Sequence, residues 1–66
     1  MGQKKYLVVM TNGDAYTVNE TDFEKTQNAM LAKDAVVRVF DTVSKLKLTL
    51  LVENISAAVE REVRHA

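Results

Sequence analysis

Residues 5–18 read KYLVVMTNGDAYTV, two runs rich in β-branched and aromatic residues on either side of Asn12-Gly13. A two-residue hairpin loop of type I′ needs positive φ at both positions, which Asn and Gly tolerate best, so this pattern is a strong hairpin signal. Placing the turn at Asn12-Gly13 pairs Thr11 with Asp14, Met10 with Ala15, Val9 with Tyr16, Val8 with Thr17 and Leu7 with Val18. One face then carries Leu7, Val9, Tyr16 and Val18, and the other carries Tyr6, Val8, Met10 and Ala15. Both faces are largely apolar, whereas an antiparallel sheet usually buries one face and wets the other. Tyr6, Val8, Met10 and Ala15 are therefore a candidate self-association face.

Residues 19–34, NETDFEKTQNAMLAKD, predict a helix. Asn19 as N-cap places Val18 and Phe23 at the two ends of a hydrophobic staple, and Glu20, Asp22 and Glu24 fall where the helix dipole favours negative charge. Phe23, Met30 and Leu31, with Gln27 or Thr26 between them, form a narrow apolar stripe suited to covering one sheet face. The acidic cluster has no His or Cys nearby. The helix terminus accounts for each carboxylate, so no metal site is expected.

Residues 35–52, AVVRVFDTVSKLKLTLLV, predict a second hairpin. A loop centred on Thr42-Val43 pairs Phe40 with Lys45, Val39 with Leu46, Arg38 with Lys47 and Val37 with Leu48. Val37, Val39, Leu46, Leu48 and Leu50 then line the core side, and Val36, Arg38, Phe40, Lys45, Lys47, Thr49 and Leu51 the outer side. Arg38, Phe40, Lys45 and Lys47 form a candidate partner or nucleic-acid face. Like charges directly opposite one another destabilise a sheet, so an anionic partner would relieve the pairing of Arg38 with Lys47.

The last segment, ENISAAVEREVRHA, satisfies both periodicities. As a helix it has Asn54 as N-cap and Ile55, Ala58, Val59 and Val63 on one side; as a strand it alternates Ile55, Ala57, Val59 and Arg61 against Ser56, Ala58 and Glu60. The order YLVVMTNGDAYTV, NETDFEKTQNAML and LTLLVENISAAVE, over residues 6–60, resembles short uncharacterised proteins of bacteriophages and prophages. The resemblance implies an extended tail after Asn54-Ile55, to about Glu60, together with a phage or mobile-element origin and a bacterial cytoplasm. It carries over no catalytic or ligand-binding residue.

These elements predict one small α+β domain over residues 1–66 of order ββαββ plus a C-terminal strand or helix, with residues 1–4 and 64–66 frayed. A chain of 66 residues buries only about 60% of the surface its unfolded form exposes, so its stability margin is thin. It has no Cys and a single His, at position 65, which removes disulfide or zinc stapling and leaves self-association as the remaining common aid. Nine basic and nine acidic residues cancel, so no net field draws the protein to nucleic acid or to an anionic membrane. Apolar runs such as Leu7–Met10 are too short to cross a bilayer.

No Ser, Thr or Cys nucleophile has a positioned base, since the only His sits beside the C-terminus, and two glycines cannot form a phosphate loop. An enzyme is not expected, and neither is a cofactor. The expected function is a small protein-binding module that forms a homo-oligomer and acts on another protein, docked on an exposed sheet edge. Single-stranded nucleic-acid binding through Arg38, Phe40, Lys45 and Lys47 is the alternative, with cations on phosphates and the ring stacked on a base. A third use of the same cations is to meet Glu20, Asp22 and Glu24 of a second copy.

Overall fold

A computed structural model describes residues 3–63. The element order is β1 (Gln3–Met10), β2 (Ala15–Val18), α1 (Glu20–Ala32), β3 (Val36–Asp41), β4 (Leu46–Leu51), a 3₁₀ turn (Val52–Asn54) and β5 (Ile55–Val63). The class is α+β, with one helix against antiparallel strands in two sheets, ordered β2-β1-β5 and β3-β4. Gln3 and Lys4, expected to fray, pair with Val63 and Glu62. The fraying expected at 64–66, and His65 with it, lies outside the described residues.

The first hairpin turns one residue away from the expected position. Met10 N–H donates to the Asp14 carbonyl at 2.7 Å and Gly13 N–H to the Met10 carbonyl at 3.0 Å. The loop is therefore Thr11-Asn12-Gly13, and only Gly13, at φ 95°, takes positive φ. This is a type I turn followed by a left-handed glycine, which spares Asn12 the strained region. Asn12 serves instead through its side chain, whose Oδ1 accepts the Asp14 N–H at 2.9 Å.

A one-residue slip moves a strand's side chains to the opposite face. Tyr16 now stands opposite Val8, and Val18 opposite Tyr6. Tyr6, Val8, Met10, Tyr16 and Val18 thus share one face, and all of them belong to or pack against the buried cluster. The candidate self-association face is corrected accordingly. Val8 has no exposed surface, and the Tyr6 ring lies 4.8 Å from that of Phe23. Ala15, paired with Val9, is exposed on the other side of the sheet.

Helix α1 starts as expected, with Asn19 Oδ1 accepting the Asp22 N–H at 2.8 Å and both staple residues, Val18 and Phe23, buried. The buried stripe is Phe23, Thr26 and Ala29, with Met30 partly covered. Leu31 is 83% exposed, because it stands about 100° round the helix from Met30 and the arc centred near Thr26 leaves it outside. Thr26 can occupy the centre since its hydroxyl donates to the Asp22 carbonyl at 2.8 Å, which satisfies the buried oxygen within the helix. At the far end, Asp34 N–H donates to the Ala29 carbonyl and Lys33 N–H to the Met30 carbonyl. This double closure requires a left-handed residue, and Lys33 supplies it at φ 56°.

The C-terminal segment is a strand, and it continues past Glu60 to Val63. Pairing along the whole of β1 overrides the helix propensity of Ala57, Ala58 and Glu60–Glu62. Lys4 Nζ lies 3.2 Å from Glu60 Oε1 in an exposed cross-strand pair, which pushes the Lys4 ammonium pKa up.

A left-handed lysine at the helix end is strained where glycine is not. Lys33→Gly should raise stability by about 1 kcal/mol, a Tm rise of roughly 4–8 °C for a domain of this size. An unchanged or lower Tm in a thermal melt would remove Lys33 as a site of strain.

Candidate interaction surface

The second hairpin keeps its expected faces but not its expected partners. Arg38 stands opposite Thr49, Phe40 opposite Lys47, Val39 opposite Leu48 and Val37 opposite Leu50. The register is two residues away from the expected one, and a shift of two preserves the side of every residue. Asp41 is the cause. Its carboxylate accepts the Val43 N–H and the Ser44 hydroxyl, both at 2.9 Å, while Lys45 N–H donates to the Asp41 carbonyl at 2.8 Å. The loop is therefore Thr42–Lys45, and Lys45 takes a left-handed conformation at φ 63°.

This loop takes Lys45 off the strand face. Arg38, Phe40 and Lys47 remain together around a shallow depression also lined by Asp22 and Thr49. Arg38 no longer faces Lys47 directly, so the expected like-charge strain is absent from the pairing. Asp22, on the rim of the same depression, accepts the Phe40 N–H through Oδ2 at 2.8 Å. Asp22 thus joins the start of α1 to the edge of β3. Glu20 and Glu24 stay exposed on the helix.

The second hairpin also reaches the three-stranded sheet, where the Thr42 N–H donates to the Thr17 carbonyl at 2.9 Å. The carbonyl belongs to β2 on the side away from β1. Between them, Asp22 and Thr42 hold the second hairpin against the first half of the chain. The core side of that hairpin supplies Val37, Val39 and Leu50 to the buried cluster.

What the hairpin does not bury is more informative. Among the large apolar side chains, Val36 is 46%, Val43 72%, Leu46 57% and Leu51 48% exposed. Val36 and Leu51, both expected on the outer side, are directly paired there. Leu46, expected in the core, pairs with Asp41 at the loop end, beyond the side chains that pack on the buried cluster. Its exposure, and that of Val43, were not anticipated; the available signal was the single charge in Leu46–Leu51, LKLTLL.

A second apolar surface lies on the outer side of the three-stranded sheet. Leu7 stands opposite Val59 and Val9 opposite Ala57. These four are half-buried by one another, and none belongs to the side chains packed on the core. The two-sided apolar pattern of the first hairpin is therefore present, with Leu7 and Val9, rather than Tyr6, Val8 and Met10, on the uncovered side.

Among the described residues, no three His, Cys, Asp or Glu side chains gather where they could hold a metal ion. No helix among the described residues is long and apolar enough to cross a membrane.

Hydrogen bonds from Val43, and then those from Ser44, favour the ionised Asp41 carboxylate and hold its pKa below the usual range. A depressed folded-state pKa contributes stability that is fully present above the unfolded value, about 4, and is lost as pH falls through the folded one. Asp41→Asn should therefore melt below the wild type at neutral pH, with the gap closing below about pH 4. A gap that stays constant down to pH 2 would contradict this role for the charge.

No family model matches the chain, and neither does any curated protein or solved structure.

Proposed function

We propose that this chain is a small non-enzymatic protein-binding module that associates with itself. The observation that carries the proposal is the exposure of the directly paired Val36 and Leu51 on the outer side of one hairpin, with Leu46 and Val43 exposed at its loop end. A domain of this size has little core to spare, and large apolar side chains left exposed along one hairpin are available to bury against another surface. The resemblance over residues 6–60 supports a phage or mobile-element accessory protein, working in the bacterial cytoplasm on a host or phage protein.

Single-stranded nucleic-acid binding has less support. Of the cations assigned to it, Lys45 has left the strand face, and the Asp22 carboxylate shares the depression of Arg38, Phe40 and Lys47. A phosphate backbone approaching that face would meet two cations and an anion, against which zero net charge provides no long-range attraction.

Sedimentation equilibrium from low to high micromolar concentration tests the proposal. A mass rising above that of the 7.4 kDa chain is expected, and a monomer throughout would contradict self-association.

A further inference from the structure

The strands expose several edges, and they are not equally guarded. Edge strands invite pairing with another chain unless charges, coverage or irregularity prevent it. The outer edge of β5 ends in Glu60-Arg61-Glu62. The free side of β2 is met by the Thr42 N–H, and that of β3 is held at Phe40 by Asp22. Among the described residues, only β3 packs along strand β4, Leu46–Leu51, which pairs without a bulge and carries Lys47 as its only charge.

The phase of the β3-β4 ladder follows from two hydrogen bonds. Phe40 N–H turns away from β4 to reach Asp22, while the Val52 N–H donates across the hairpin to the Ala35 carbonyl at 3.1 Å. In an antiparallel pair, bonded and non-bonded positions alternate, so Phe40 with Lys47, Arg38 with Thr49 and Val36 with Leu51 are the non-bonded pairs. The backbone N–H and C=O of Lys47, Thr49 and Leu51 therefore point to the open edge.

We propose that two copies of this chain pair antiparallel through β4, about a two-fold axis at Thr49, to form one continuous sheet of order β3-β4-β4-β3. This rests on the self-association proposed above and names its surface. A two-fold axis normal to the sheet brings strands together only in registers that keep each residue on its own side. Centring it at Thr49 overlaps all three outward-pointing residues. Thr49 meets its own mate, and Lys47 meets Leu51 of the second copy.

The sequence of β4 suits this arrangement on both sides. The one cation never faces its symmetry mate, so the like-charge penalty of a self-paired edge is avoided. On the core side Leu48 meets Leu50, while on the outer side Leu51 gains cover from the aliphatic stem of Lys47 of the second copy. The second copy is favoured over an unrelated strand because the strand's pattern is complementary to itself.

The test is a charge rearrangement read by sedimentation of the full chain, with circular dichroism confirming that each variant is folded. Leu51→Lys places a lysine opposite Lys47 of the second copy at both ends of the pairing, and should weaken the dimer by about tenfold or more. Adding Lys47→Glu to Leu51→Lys sets opposite charges face to face and should restore the dimer. Three results overturn the proposal. A wild type that stays monomeric removes self-association altogether. A Leu51→Lys variant that dimerises as well as the wild type leaves self-association standing but moves it to another surface, such as that of Leu7 and Val59. A double variant no tighter than Leu51→Lys alone shows that Leu51 acts without the Thr49-centred register.

Discussion

The structure depends on a single left-handed glycine. Gly13, at φ 95°, lets the chain close from Met10 to Asp14 rather than one residue later, and that closure decides which side of β2 joins which side of β1. With the observed register, Tyr16 and Val18 fall beside Val8 and Tyr6, and a single strongly apolar face meets the helix. Under the alternative register Tyr16 and Val18 would fall beside Leu7 and Val9, on the side of β1 away from Tyr6, Val8 and Met10. Val18 also has to lie on the buried side for the staple to Phe23 to form, so the start of the helix depends on the same turn.

From that face the rest of the architecture follows. The helix packs Phe23, Thr26 and Ala29 toward the core, its first turn offers Asp22 to the edge of β3, and β3 brings the second hairpin with it. A carboxylate accepting a backbone N–H is a directional link as well as a charged one. Asp22 therefore does more than complement the helix dipole: it occupies the side of β3 on which an added strand would otherwise pair. The corresponding side of β4 has no such group.

Much of this was legible in residue type. Asn19 with Val18 and Phe23 marked the helix start because capping and stapling are local and depend on spacing alone. The sides of the second hairpin were also legible, since a register error of two residues leaves every side chain where it was. The first hairpin was harder, because Asn-Gly fits both a two-residue loop and, with Thr11, a three-residue one, and a single step exchanges the faces. Leu31 was misplaced because Thr26, a polar residue, holds the centre of the buried arc once its hydroxyl is satisfied within the helix. The face of Arg38, Phe40 and Lys47 was legible, whereas the departure of Lys45 depended on Asp41 gathering the loop around its carboxylate. The strand fate of Ala57–Glu62 was not encoded in local propensity at all, since it arises from pairing with β1, far away in the chain.

The same packing sets where association would occur. The buried cluster takes the apolar residues on one side of β1 and β2 and the inner side of the second hairpin near the helix, which leaves β4 with leucines on a free edge. The most direct measurement is amide hydrogen exchange, residue by residue, as a function of protein concentration. The Leu48 and Leu50 amides, bonded to β3, should exchange slowly at every concentration, while those of Lys47, Thr49 and Leu51 should pass from fast to slow as concentration rises. Fast exchange at Thr49 at all concentrations, in a protein whose mass nevertheless increases, would contradict association through β4.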